Sequence, residues 1–565
     1  MIILGINDMT PHNTSAALLR DGEVIAAIEE ERLSRIKLDA AYPHQAIAKV
    51  MADAGVSVED IDQVAFAGLS RWQQRQPLNL MFDRIRTLAR DDQPIRKFYR
   101  KQQFSRYSRL LKQRTNPPGV LGEKPSITVE HHKAHAASAY YCSPFADERV
   151  AVISYDGSGD FSCASVWLGE QGEMHYVDYL HAINSVGLLY SAVTVFLGFK
   201  HTRHEGKVLG LAAFGDPEPF FSRLMALVNL DNWDQLFSAK LARVTLRQFS
   251  EMGQSVLQEL AGDLCKEDVA AGIQAFTEHL ICQWVQKILQ KIEVHHLALA
   301  GGLFANVKLN QRLMALPEVD NIYVHPNMGD GGLATGAALV AWAEHSQEKP
   351  RFLSHVYLGH CITEEEAKQA LDAANLTYTK PEQLAQEVGA LLANGKVVAR
   401  AAGGMEYGPR ALGNRTVMAP CHDPEINQWL NKKFQRTEFM PFAPVVLEEA
   451  AASFFPDWHP DHVTCRFMTM TCDASELAKK QIPAAVHVDG TARPQVLRRE
   501  DNPDYYDIIA AYAALAGIPS VINTSFNMHE EPIVCSAADA VRAFLDAQLD
   551  ALILGPFLIE LPKSS

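Results

Sequence analysis

MIILGINDMTPHNTSAALLRDGEVIAAIEEE, residues 1–31, reads as strand, loop, strand, turn, strand. Asp21-Gly22 is a hairpin turn between two apolar runs, because both residues accept the left-handed backbone that a two-residue turn needs. Residues 149–180, RVAVISYDGSGDFSCASVWLGEQGEMHYVDYL, repeat the plan. In each copy a strand ends in a polar, turn-rich loop and a hairpin follows. The repeat lies in the order of elements rather than in residue identity. Duplicated strand–loop–hairpin units, each followed by helices, predict two related α/β halves facing across a cleft.

Two more strand–Gly–helix turns follow. HHLALAGGLFANVKLNQRLM places Gly301-Gly302 between a strand and a helix, and NIYVHPNMGDGGLATGAALVAW does the same with Asp330-Gly331-Gly332. Glycine there lets backbone approach a phosphate, and the helix N-terminus adds partial positive charge. Neither turn matches GxGxxG or GxxxxGK[ST], which excludes Rossmann and P-loop chemistry. The polar stretch SQEKPRFLSHVY, residues 346–357, marks a boundary. The division expected is 1–349 and 350–565. Beyond it EEEAKQALDAANL reads as an amphipathic helix, VGALLANGKVVARAAGG as helix, turn and strand, and ALILGPFLIEL as a closing strand.

A chain of 565 residues is too long for a single core. Its composition, 47% apolar and 21% charged, is that of a soluble globular protein. No apolar run reaches the roughly 20 residues a membrane-spanning helix needs. MIILGIND lacks a basic n-region, so no secretory signal is expected. Nine cysteines, scattered and never in CxxC spacing, point to a reducing cytoplasm. The net charge of −15 argues against a general nucleic-acid binder. One segment runs the other way: residues 71–114 are strongly basic, with Trp72, Phe98, Tyr99, Phe104 and Tyr107 among the cations. That segment reads either as a solvated helical insertion or as a lid facing an anion or substrate.

Two clusters carry chemistry. His131 and His135 stand four apart in HHKAHAASAYY, a run of good helix formers, so both imidazoles share a helix face. Asp156 ends the apolar strand AVISYD and can join them on one divalent ion. A mixed His/Asp donor set suits a metal that binds oxygen ligands, not a thiolate zinc. In the C-terminal part, cations stand beside glycines. GGMEYGPRALGNRTVMAP carries Arg410 and Arg415, NKKFQRTEFMPFAP carries Lys432, Lys433 and Arg436, and HVDGTARPQVL carries Arg493. VINTSFNMHEEPIV adds Asn523, Thr524, Ser525 and His529. Guanidinium groups on stiff loops suit bidentate recognition of phosphate or carboxylate.

The motifs HHKAHAASAYY, DGSGD, GKVLGLAAFG, AGGLFANVKLN, GDGGLATGAA, GPRALGNR, PFAPVV and NTSFNMHEEPIV, in that order, resemble the NodU/CmcH carbamoyltransferases over nearly the whole chain. The resemblance implies an α/β protein: an N-terminal actin/Hsp70-like (Kae-like) duplicated domain and a C-terminal YrdC-like domain. It implies that the C-terminal domain makes carbamoyl adenylate from ATP, as its Mg(2+) complex, and carbamoyl phosphate. The N-terminal domain then passes the carbamoyl group to an alcohol on a small natural product or sugar. By the same resemblance His131, His135, Asp156 and Asp330 hold a divalent metal, Fe(2+). Gly157, Gly159, Lys207, Gly301, Gly302, Asn306 and Gly331 line the nucleotide cleft. Arg410, Arg415, Arg436, Arg493, Asn523, Ser525 and His529 bind carbamoyl phosphate and ATP, and His12 and Lys37 are catalytic.

The chain departs from the family pattern in places. Asn13 stands where Asp is usual, Leu38 where His is common, FQRTE where VKxRE is frequent, and His529 where some members have Arg. A threonylcarbamoyl-type tRNA enzyme and a non-catalytic nucleotide- and metal-binding regulator are the competing readings. The acidic charge weighs against the first, and the ligand-bearing loops against the second. No nucleic-acid or membrane partner is expected, and the oligomeric state, a homodimer included, stays open.

Overall fold

The computed structural model describes residues 1–8, 12–68, 94, 97–99, 101–103, 105, 119–145, 147–346, 348, 351–435 and 440–561. Most of the basic segment 71–114, and Arg436, lie outside the described residues. The chain forms two compact units. The first is Met1–Ile25 with Gly55–Phe352, and the second is Ala26–Ala54 with Leu353–Ser565. Residues 26–54 thus group with the second unit, whereas a cut at 349/350 counts them with the first.

The first unit holds two five-stranded sheets. One contains β1 (Ile2–Asn7), β2 (Ser15–Arg20), β3 (Glu23–Glu29), β4 (Gln63–Ala67) and β5 (Ser126–Val129), in the order β3-β2-β1-β4-β5. The other contains β6 (Val150–Gly159), β7 (Ser162–Glu170), β8 (Glu173–His181), β9 (His296–Ala300) and β10 (Asn321–Val324), in the order β10-β9-β6-β7-β8. In each sheet the second strand pairs antiparallel with the first, and the fourth and fifth run parallel to it. One strand order used twice is the duplication expected from residues 1–31 and 149–180, and it is the actin/Hsp70-like plan. Asp21 (φ 49°) and Gly22 (φ 77°) form the expected hairpin turn.

After its fifth strand each half sends a helix into the centre: His131–Tyr141 after β5 and Leu333–Ala343 after β10. The second is buried on all sides from Leu333 to Trp342, as a helix apolar all round must be. The two helices touch at Gly336, where a Cβ would lie 1.8 Å from the Ala134 carbonyl oxygen. Gly5 of β1 allows an equally close approach, 2.0 Å from the Ala334 carbonyl oxygen. Small residues therefore bring helices and sheet near enough for the loops at their ends to share one site.

The second unit is built on a mixed seven-stranded sheet in the order Gln495–Leu497, Ala443–Leu447, Ser520–Ser525, Arg415–Ala419, Val398–Ala401, Ala551–Leu554, Phe557–Glu560. Its core includes Val398, Met418, Val445, Val521 and Ile553 from the strands and Tyr505, Ile509 and Tyr512 from the helix Pro503–Ala516. ALILGPFLIEL is not one closing strand. Gly555, at φ 56°, turns the chain, and two antiparallel strands form instead. No helix among the described residues is long and apolar enough to cross a membrane.

Candidate functional site

His131, His135, Asp156 and Asp330 converge in the first unit, with one ligand atom from each inside a 4.8 Å span. His131 Nε2 lies 3.2 Å from Asp156 Oδ2 and 3.8 Å from Asp330 Oδ1. His135 Nε2 lies 3.9 Å and 3.5 Å from the same two oxygens. The four donors arrive from three elements of the duplicated fold. The histidines share one face of the helix after β5, Asp156 lies in the distal part of β6, and Asp330 opens the turn before the helix after β10.

The helix is anchored at its start. Glu130 accepts the Lys133 N–H at 2.7 Å, and Asp160 accepts the His131 N–H at 2.8 Å. His132, between the two donors, belongs to the core. Its Nε2–H donates to the Ser162 carbonyl at 3.1 Å, so its Nδ1 accepts the Ser154 hydroxyl at 2.9 Å.

Electrostatics couple the set. Burial pulls His131 down, but its hydrogen bond to Asp156 and the charges of Asp330, Asp156 and Asp160 outweigh this and raise it to about 9. Burial opposes ionisation of Asp156, yet the hydrogen bond from His131 and the nearby imidazoles hold it well below the usual carboxylate range. Buried polar atoms remain without hydrogen bonds among the described residues: both ring nitrogens of His135 and Oδ1 of Asp330. Orphaned imidazole and carboxylate donors converging on one point fit a divalent cation.

The glycines around this cluster act mainly by closeness. A Cβ at Gly159 would meet the His131 ring at 2.0 Å, and one at Gly302 would lie 2.7 Å from Asp156 Oδ1. Gly301, at φ 106°, brings β9 against β6, where a Cβ would sit 2.1 Å from the Tyr155 carbonyl oxygen. Gly157 has more room, its nearest neighbour being Leu188 at 3.3 Å, and Gly331 lies in the single turn Asp330–Gly332. Lys207 is buried on the helix Glu205–Ala212. Asn306 is engaged within the fold: it caps the helix Val307–Met314 and exchanges two hydrogen bonds with Gln274, at 2.9 and 3.2 Å.

His12 stands at the rim, its Nδ1 3.7 Å from Asp330 Oδ2. Asn7, not foreseen from the sequence, ties the two loops by donating to the Asp330 carbonyl at 2.9 Å and the Asn13 carbonyl at 3.1 Å. Asn13 itself adopts φ 57°, a conformation Asn accepts better than most residues. Lys37 belongs to the second unit and pairs with Glu31 at 3.1 Å.

In the second unit the cations separate into two kinds. Arg415 is fully buried, and the backbone takes up Nε, Nη1 and Nη2 alike. Its partners are the carbonyls of Cys535, Ala402, Gly403, Asn414 and His360. That pattern makes it a tie between loops, contrary to the ligand-facing role expected of it. Arg410 is the opposite: among the described residues no hydrogen bond or ion pair satisfies it, and its Nε is buried. Burial and then the neighbouring Arg493 depress it well below the usual arginine range. Two guanidinium groups lie side by side, and among the described residues no carboxylate pairs with Arg410.

The loop bearing Arg410 is clamped. Glu406 Oε1 accepts the N–H groups of Leu412, Asn414 and Arg415 at 2.7, 2.7 and 3.1 Å. Gln495 donates to the Leu412 carbonyl at 2.9 Å, and Asn523 to the Ala411 carbonyl at 3.0 Å. Asn523 also accepts the Thr416 hydroxyl. It is thus a buried brace rather than an open ligand. Ser525 ends the strand beside it, opposite Thr416. His529 is a third exposed and lies 3.8 Å from Glu530. Glu406 and Gln495 had no motif to announce them; only the proximity of Glu406 to GPRALGNR was a signal.

These sites stand in a chain whose relatives are known. Residues 2–339 match the family profile Carbamoyltransferase N-terminus, and residues 389–561 match Carbamoyltransferase C-terminus. The two-unit α/β chain is a group-transfer enzyme, and it belongs to the carbamoyltransferase family. It is 32% identical to nodulation protein NolNO of Sinorhizobium fredii, over 97% of this chain and 79% of that one. It is 26% identical to nodulation protein U of Rhizobium tropici, over 94% and 92%. Among solved structures it is similar to component A of the Acidaminococcus fermentans (R)-2-hydroxyglutaryl-CoA dehydratase, at 16% identity and a TM-score of 0.35, covering 61% of this chain and 98% of that one. Full-length HypF in its phosphate- and nucleotide-bound form gives 14% identity and a TM-score of 0.30, over 60% and 55%. The fold assignment rests on the strand orders, not on these two.

Proposed function

We propose that the second unit makes carbamoyl adenylate from ATP and carbamoyl phosphate, and that the first unit passes the carbamoyl group to a hydroxyl of a small natural product or sugar. The observation that carries the reading is the Arg410–Arg493 pair: a guanidinium with no counter-ion among the described residues, on a braced loop, in a chain of this family. Carbamoyl phosphate is a dianion and would supply the opposite charge. Water releases carbamate and phosphate from it, and a carbamate oxygen then attacks the α-phosphorus of Mg-ATP, with pyrophosphate leaving. The mixed anhydride activates a carbonyl that an alcohol otherwise attacks poorly.

In the first unit His131, His135, Asp156 and Asp330 are the residues to hold a divalent ion, Fe(2+) by the family resemblance. When bound, such an ion supplies Lewis-acid stabilisation of charge on oxygen. Gly301, Gly302 and Gly331 let the nucleotide portion come close to backbone. His12, at the rim and partly exposed, is placed to take the proton of the acceptor hydroxyl. Lys37 is a second cation for the phosphates of the donor.

Pyrophosphate release by the purified full-length protein tests this. Release is expected with ATP and carbamoyl phosphate together, and not with ATP, bicarbonate and threonine. Metal analysis should find about one divalent ion per chain, lost in His135→Ala. Release that needs threonine, or none under either condition, would overturn the reading.

A further inference from the structure

Residues 29–38 carry six charged side chains, and Arg32 among them is buried with a side chain only 4% exposed. It lies 3.0 Å from Glu29 Oε2 and 3.3 Å from Glu31 Oε1, two carboxylates that are buried as well. Its Nη2 donates to the carbonyl of Gly408 at 3.0 Å. Burial opposes the charge on Arg32, but Glu29 and Glu31 outweigh it and raise its affinity for the proton.

Gly408 opens the loop that carries Arg410 two residues later, and it sits at φ 125°, where only glycine is at ease. Glu406, Gln495 and Asn523 hold that loop from Ala411 to Arg415. Arg32 holds its other side. The partner it uses there, Glu31, also receives Lys37 Nζ at 3.1 Å and the Leu38 N–H at 2.7 Å. One path of contacts therefore runs Lys37, Glu31, Arg32, Gly408 inside a single unit, hydrogen-bonded at both ends and closed in the middle by the Glu31–Arg32 ion pair.

We infer that Arg32 is a positioning residue for the anion seat: it fixes the Gly408 carbonyl of the Arg410 loop and, through Glu31, the ammonium group of Lys37. The inference rests on the reading of Arg410 as a ligand-binding group. The planar fork of a guanidinium can serve two carboxylates and a carbonyl at once, whereas an ammonium group is a point charge that cannot hold all three in one geometry. A residue needed only for folding would change stability and leave substrate affinity alone. A positioning residue must change the affinity of the folded enzyme for carbamoyl phosphate.

The test compares full-length wild type with Arg32→Lys and Arg32→Gln in carbamoyl phosphate-dependent pyrophosphate release, with thermal melts and metal content measured beside it. Arg32→Lys keeps the charge between Glu29 and Glu31, so it is the variant expected to fold and to keep its metal. Its KM for carbamoyl phosphate should rise about tenfold, with a larger rise in Arg32→Gln, while the KM for ATP changes much less. If Arg32→Gln fails to fold, Arg32→Lys alone decides. A folded Arg32→Lys with a wild-type KM, whatever its melting point, overturns the inference and leaves the function standing. A wild type that releases no pyrophosphate overturns the function and the inference with it.

Discussion

Asp156 accepts the backbone N–H of Gly302 at 3.2 Å. Its other oxygen faces His131, so the end of β9 orients a carboxylate from β6 toward the candidate metal centre. Gly302→Ala should therefore act on metal binding, since the added Cβ would press on Asp156 Oδ1 at 2.7 Å. The expected outcome is a protein that folds normally but binds its divalent ion about 10–100-fold more weakly. Metal titration followed by elemental analysis measures this.

The three histidines of HHKAH should separate by phenotype. The His135 ring makes no hydrogen bond among the described residues, so His135→Ala removes a candidate metal donor at little cost in polar pairing. His132 is bonded at both nitrogens inside the core, so His132→Ala removes the ring partner of the Ser162 carbonyl and leaves the Ser154 hydroxyl with Ser165 alone. Chemical denaturation should place His132→Ala about 1–3 kcal/mol below wild type. The ordering of metal content should be reversed, lowest in His135→Ala.

Arg410 and Arg415 should likewise part company. Arg415→Ala removes the side-chain donor of five carbonyls, of which those of Asn414 and His360 keep a backbone N–H, and opens a cavity, a loss of about 3–5 kcal/mol that should lower solubility and melting point. Arg410→Ala removes a guanidinium repelled by Arg493, so its melting point should equal or exceed that of wild type. Pyrophosphate release should nonetheless vanish in Arg410→Ala. A marked drop in its melting point would count against the anion seat.

Acid should expose the role of Glu31. Burial opposes its ionisation, but Arg32, Lys37 and the Leu38 N–H hold its affinity for the proton below the ordinary value of 4.5. A depressed carboxylate contributes stability that is full above its unfolded value and disappears as the pH falls through its folded one. The stability advantage of wild type over Glu31→Gln should be largest near neutrality and shrink once the pH drops below 4.5. Urea unfolding across that range measures it; an advantage that stays level into acid would show that Glu31 is not held by charge.

Much of this was legible along the chain. The hairpin at Asp21-Gly22 and the i, i+4 spacing of His131 and His135 are local features that form as their spacing requires, whereas the strand expected to end at Asp156 runs on to Gly159. Asp330 needed the family resemblance to be singled out, because a turn with one carboxylate looks like any other N-terminal turn. The phosphate reading of the glycine turns was only half of their story: Gly159 and Gly301 are also dictated by the His131 ring and the Tyr155 carbonyl that press on them.

The sequence by itself determined the duplicated halves and the pair of imidazoles, since strand alternation, turn chemistry and helical periodicity act over a few residues. Tertiary structure alone decided which arginine is spent and which is left open. Arg415 is satisfied by carbonyls as far off as Cys535, 120 residues away, and His360, 55 away, while among the described residues Arg410 has no hydrogen-bond or ion-pair partner. It also decided that residues 26–54, the second part of β3 included, group with the C-terminal unit, where Arg32 meets Gly408 across 376 positions. Desolvation and pairing depend on what the fold brings alongside a charge, and no local pattern encodes that.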